Sequence, residues 1–227
     1  MHRHGGGRIF QRHYIHEWMG GARRGTAVGG DPVSRDARAL RQALRQQRRD
    51  TPASERIAAA EAIAQRLLAL PFTPEHGHVA GYWSMDGEIS LHAWQLRLPP
   101  SLIYCLPVLH GDRLRFAPWR PGGALVSNRY GIPEPDVSPA DLLDGNDMAL
   151  VIAPLVAFDA GCRRLGMGAG WYDRGFAFRR DRAAPPWLVG AAFASQQVEA
   201  IAAEPWDVPM DAVCTERDTF LATPDVE

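Results

Sequence analysis

One run constrains this chain more than any other: Leu150-Val-Ile-Ala-Pro-Leu-Val-Ala-Phe-Asp159, followed closely by Arg164-Leu-Gly-Met-Gly-Ala-Gly-Trp-Tyr-Asp173. It reads as a buried strand, a tight polar turn, a glycine-dense loop and a helix start. That order builds an anion site. Gly166, Gly168 and Gly170 let main-chain N–H groups approach a phosphate, and the helix start adds unpaired N–H groups and the positive end of its dipole. Leu165, Met167, Ala169, Trp171 and Tyr172 share that loop and are expected to lie against the same anion. Arg164 adds a fixed charge where the loop begins. Asp173 offers a carboxylate where a magnesium ion shared with phosphates can bind.

The commoner phosphate motifs are excluded. A Walker loop needs a lysine after its last glycine, and none follows here. The dinucleotide fingerprint needs a third glycine three residues after the second, whereas these glycines alternate.

The chain's 227 residues suffice for one sizeable domain with an appendage. Its 25 basic and 26 acidic side chains nearly cancel, so no nucleic-acid partner is expected. Cys105, Cys162 and Cys214 lack metal-ligand spacing, and an odd, sparse set points to a reducing compartment, the cytoplasm. Cys162 adjoins the glycine loop, but no histidine near it in sequence supports a nucleophile. No apolar run reaches the roughly 18 residues of a membrane span. Residues 1–33 cluster His, Arg and Gly and are expected to form a disordered extension; residues 34–227 are expected to form a single domain.

Ser34 is expected to cap a helix running to about Arg49, with Ala37, Leu40 and Leu44 apolar and Arg38, Arg41, Arg45, Arg48 and Arg49 basic. Such a face is either solvated or grips a polyphosphate through guanidinium forks. Thr51 caps a second helix carrying Ile57, Ala60, Ala64, Leu67 and Leu68. Strands are expected at 79–83, 102–109, 113–117, 151–153 and 187–193, and helices at 90–98 and 171–180. This alternation predicts an α/β fold: a three-layer, mostly parallel sheet flanked by helices on both faces. Residues 121–147 read as a long loop, where Pro133 and Pro135 restrict their neighbours and can hold Tyr130 over a pocket. Residues 82–89 join a strand end to a helix start, where α/β proteins place ligand groups.

The run at 150–173 resembles the signature of the 5-formyltetrahydrofolate cyclo-ligase (methenyltetrahydrofolate synthetase) family. The resemblance spans about Asp36 to Val213. It implies a fold related to sugar-phosphate isomerase and CoA-transferase domains, a monomer, and ATP-dependent conversion of 5-formyltetrahydrofolate to 5,10-methenyltetrahydrofolate with Mg2+. It implies that Arg164 and Tyr172 are catalytic and that Arg38, Arg41 and Arg45 contact ATP with the loop. It implies that Glu88 accepts the pterin's amide and amino protons while Trp83, Met85 and Tyr130 wall it in, and that Asp173 and Asp211 contact the metal. Leu40-Arg41 matches the second half of the family's Lys-x-x-Leu-Arg pattern, but its lysine falls near Ala37, leaving Arg38 as the nearest substitute. Met167 and Ala169 stand where members often carry a basic residue, and Trp171 replaces the first tyrosine of a pair. Two rivals stay open: a sugar-phosphate enzyme or sensor on the same scaffold, and an RNA binder using the arginine helix.

Overall fold

The structure is a computed structural model that describes residues 32–222, with side chains from Ala37 onward. The extension expected over 1–33 lies almost wholly outside the described residues, and so does the side chain of Ser34. The first helix, α1 (Pro32–Asp50), begins at Pro32 rather than after Ser34. Then follow α2 (Ala53–Leu68), β1 (Gly77–Ala80), α3 (His92–Gln95), β2 (Leu102–His110) and β3 (Arg113–Pro118). Within 121–147, expected as loop, Leu125–Ser127 (β4) and Pro133–Pro135 (β5) pair as a small antiparallel sheet. The chain continues through β6 (Met148–Pro154), β7 (Ala157–Phe158), β8 (Arg164–Leu165), α4 (Trp171–Gly175) and β9 (Trp187–Ala191), ending on β10 (Ala212–Cys214) and β11 (Thr219–Leu221).

Seven strands form one mixed sheet in the order β11-β10-β9-β6-β1-β2-β3. It is parallel from β10 to β2 and antiparallel only at its edges. The unbroken apolar run of β6 follows from burial on both faces. Leu150 and Ile152 join Ile63, Leu67 and Trp94 under α2 and α3, while Val151 and Ala153 join Phe158, Phe176 and Met210 on the other face. The second face has only α4, 3-10 turns and loops over it, so the expectation of full helices on both faces holds for one.

Several boundaries differ for physical reasons. Pro52, not Thr51, is the N-cap of α2. Ile57 is 68% exposed, because the buried stripe of α2 runs through Ala59, Ala60, Ile63, Ala64 and Leu67. The strand expected at 79–83 ends at Ala80: Tyr82 turns back so that its hydroxyl donates to the Ile89 carbonyl (2.8 Å). The helix expected at 171–180 stops at Gly175, where a Cβ would sit 3.3 Å from Leu114 Cβ, and a 3-10 turn follows at Ala177–Arg180. No helix among the described residues is long and apolar enough to cross a membrane.

Candidate active site

The sheet order creates a switch point. The chain leaves β1 toward β2 and leaves β6 toward β9, in opposite directions, so a crevice opens at the carboxyl ends of adjacent strands β1 and β6. The loop after β1 carries Trp83, Met85, Asp86 and Glu88. The segment after β6 carries Arg164 and the glycine loop. Both line one cleft of about 2100 Å3, together with α1, Tyr130 and residues 200–207.

The glycine loop is fixed from α1. Arg41 Nε donates to the Gly166 carbonyl (2.8 Å), and its guanidinium carbon lies 4.0 Å from where a Cβ on Gly168 would stand. Gly168 and Gly170 adopt φ of +94° and +64°, the left-handed region that glycine enters without steric penalty. Among the described residues, the N–H groups of Gly168, Ala169, Gly170 and Trp171 meet no acceptor. Burial lowers the pKa of Arg41, with Asp207 opposing. Because α4 has only five residues, what this corner offers an anion is its loop amides and arginines rather than a long helix dipole.

Arg164, 7% exposed at its side chain, donates from Nη2 to Asp173 Oδ1 (2.5 Å) and lies over the Tyr172 ring. Its Nε is buried without a hydrogen-bond partner, a donor awaiting an acceptor. Burial, then the charge of Glu88, pushes the Tyr172 hydroxyl well above the usual phenol range, so it stays protonated and can donate.

Glu88, on the loop after β1, lines the same cleft. Its Oε2 accepts from the Met85 N–H (3.0 Å), and Oε1 lies 3.7 Å from Arg48 Nη1. Burial raises its pKa; the Arg48 charge opposes this. Trp83 packs edge-on against Trp119, leaving an apolar wall, and Met85 is 37% exposed beside it. Tyr130 lines the cleft on a turn closed by Asn128 Oδ1, which accepts its N–H at 2.9 Å.

Asp86 joins α1 to this wall. Its carboxylate accepts from Arg45 Nε (2.7 Å), Arg49 Nη1 (2.8 Å) and Arg48 Nη2 (3.3 Å), and its carbonyl accepts from Arg48 Nε (3.0 Å). Burial raises the Asp86 pKa, but hydrogen bonds from Arg49 and Arg45 outweigh it and hold the carboxyl below its ordinary value.

The expected residues therefore divide. Arg41, Arg45, Arg164, the loop 165–172, Asp173, Trp83, Met85, Glu88 and Tyr130 all line the cleft. Arg38 is exposed and does not line it. Arg45 lines it with its Nε already donated to Asp86. Asp211 lies outside it: Arg179 and the Leu188 N–H occupy its carboxylate, which fastens β9 to the segment before β10. The structure thus sets Asp211 apart from the cleft that Asp173 lines. No group of three His, Cys, Asp or Glu among the described residues is arranged to hold a metal. Cys162 is fully buried and its thiol is pushed up to about 11, which removes it as a nucleophile.

Sequence reasoning missed three contributors. Arg48 is 2% exposed and also donates to the Leu155 carbonyl (3.3 Å). Its signal was present: it falls four residues after Leu44, on the apolar stripe. Asp86 lies within the 82–89 segment, where nothing local marks it as the partner of three arginines. Residues 200–207 form a further wall and carried no periodicity to announce them.

A 5-formyltetrahydrofolate cyclo-ligase family model matches residues 33–216. The chain belongs to that family. It is 35% identical to the 5-formyltetrahydrofolate cyclo-ligase of Haemophilus influenzae over 176 residues, 75% of this chain and 92% of that protein. It is 36% identical to the Escherichia coli K12 enzyme of the same name over 177 residues, 76% and 96% of the two chains. In structure it resembles the Aquifex aeolicus 5,10-methenyltetrahydrofolate synthetase, with a TM-score of 0.71 and 26% identity, covering 84% of this chain and 95% of that one. A Mycoplasma pneumoniae 5,10-methenyltetrahydrofolate synthetase shares the fold at a TM-score of 0.62 and 22% identity, covering 80% and 99%.

Proposed function

We propose that this protein is an ATP-dependent cyclo-ligase that converts 5-formyltetrahydrofolate to 5,10-methenyltetrahydrofolate, releasing ADP and phosphate. One observation carries the reading beyond family membership: a single cleft is lined both by the glycine loop with its arginines and by the largely buried carboxylate of Glu88. Its volume of about 2100 Å3 is roughly twice the upper range for a one-ligand pocket, as two substrates meeting face to face require.

In this reading the triphosphate lies on the free amides of 168–171, with Arg41 and Arg164 balancing its charge. The pterin lies between Trp83, Met85 and Tyr130, with Glu88 accepting its N–H groups in a two-point contact. The 5-formyl oxygen attacks the γ-phosphorus and the bond to ADP breaks. N10 then attacks the activated formyl carbon, its C–O bond to phosphate breaks, and N10 gives up its proton as the methenyl bridge closes. Protein residues transfer little charge themselves. They align the partners and stabilise the moving phosphoryl group. The orphaned Nε of Arg164 is the donor placed to strengthen its bond as that charge develops. Tyr172, kept neutral by burial, supplies a second donor.

Magnesium would shield the β- and γ-phosphates. It needs only one or two carboxylates besides phosphate and water, and Asp173 fits through the oxygen that Arg164 leaves free. The same reading makes residues 34–227 one catalytic domain related to sugar-phosphate isomerase and CoA-transferase domains, acting as a cytoplasmic monomer. The test is methenyltetrahydrofolate absorbance from folinate plus ATP. Arg164→Ala is expected to lower kcat by about 100-fold or more, the loss seen when one transition-state donor is removed. No turnover by the wild-type protein would end the proposal.

A further inference from the structure

The reading above leaves the nucleoside half of ATP without a place. Trp206 is 61% exposed and is one of the residues that line the cleft. An indole left open to solvent inside a cleft is apolar area available to a ligand. Its backbone is held tightly. The Trp206 carbonyl accepts from Arg180 Nη1 (2.8 Å), and the Val208 N–H donates to Asp173 Oδ1 (3.4 Å). Glu204 and Asp207 close the turn on either side, with the Glu204 N–H donating to Asp207 Oδ2 and the Asp207 N–H to the Glu204 carbonyl, both at 2.9 Å. The ring itself is uncommitted: among the described residues it stacks on no other ring, carries no cation and gives no hydrogen bond from Nε1.

Its neighbours connect it to the anion corner. Asp207 acts electrostatically on Arg41, and Arg41 binds Gly166 and lies against Gly168. Ala200, Ile201 and Ala202 extend the same wall with apolar surface. The pterin wall, at Trp83 and Glu88, belongs to the loop after β1, a different part of the cleft's lining.

We infer that Trp206 is the stacking platform for the purine base of the nucleotide. The inference rests on the phosphate reading of residues 166–170 and adds the subsite that tells a nucleotide from a bare polyphosphate. A flat, polarisable indole suits any purine face, so recognition here is by stacking rather than by the base's edge.

The test is calorimetric titration of wild type, Trp206→Ala and Trp206→Phe with Mg-ADP and with inorganic tripolyphosphate. Trp206→Ala is expected to weaken ADP about tenfold, the scale of one base–aromatic stack. Trp206→Phe should keep most of that affinity, and tripolyphosphate should bind all three alike. The exposed position leaves the melting temperature unchanged. ADP binding Trp206→Ala as tightly as wild type overturns the stacking platform alone. Equal weakening of both ligands also overturns it, since Trp206 then acts through the loop's shape. Failure of tripolyphosphate to bind wild type removes the phosphate corner itself, and the inference with it.

Discussion

Asp86→Asn tests the polar fastening of α1 most directly. The substitution keeps size and shape but removes the charge that three arginines share at 2.7, 2.8 and 3.3 Å. Breaking a buried pair by neutralising one partner costs about 3–5 kcal/mol. Asp86 keeps 18% exposure and Arg49 33%, so solvent screens part of that; Arg48, at 2%, receives no such relief. Arg48 does retain the Leu155 carbonyl and Glu88. We therefore expect a loss of about 2–3 kcal/mol, or roughly 4–12 °C in melting temperature for a domain of this size. The pH dependence gives a second signature. The Asp86 pKa is lowered below its ordinary 3.8, so its contribution is fully present above 3.8 and vanishes as pH falls through the folded value. The two melting curves should accordingly converge in acid. Differential scanning calorimetry across pH measures both effects. A variant that melts with wild type at neutral pH, or a gap that persists undiminished in strong acid, would refute the fastening.

Two further outcomes concern the substrates. Glu88→Gln removes a charged acceptor and is expected to raise the KM for folinate about tenfold or more while leaving the KM for ATP near wild type, by initial-rate kinetics. Because burial raises the Glu88 pKa above its ordinary 4.5, wild-type folinate KM should begin to climb on acidification before pH 4.5 is reached, and the Gln variant should lack that rise. The same shift means the fold gains stability as Glu88 takes up its proton, the reverse of Asp86. Gly170→Ala places a Cβ 2.9 Å from Arg174 Nη1 at φ +64°, at about 1–2 kcal/mol for the left-handed backbone; the KM for ATP should rise several-fold while the folinate KM stays put.

The parts legible in sequence were those with a local physical code. The apolar run of β6 announced a strand buried on both faces, and alternating glycines announced a loop whose amides stay free. Charged residues were harder. A stripe of arginines on α1 gives no local sign of which one is buried, because burial of Arg48 depends on Asp86 and Glu88 some forty residues away. Arg38 and Arg45 were grouped with Arg41, yet only Arg41 reaches the glycine loop. The family resemblance implies a metal contact for Asp211, but in the structure its carboxylate pairs with Arg179, and Arg179 lies on a turn created by the early stop of α4. Trp206 was silent because a lone aromatic between Pro205 and Asp207 carries no period.

The corner proposed for the nucleotide is assembled from distant stretches of chain. Arg41 comes near the beginning, the glycine loop from well past the middle, and the wall around Trp206 near the end. A ribosome making this protein therefore extrudes the arginine helix before the glycine loop, and the glycine loop before the wall around Trp206. If Trp206 holds the purine as proposed, nucleotide can lend full stability to the nascent chain only after that wall has followed the glycine loop out of the ribosome.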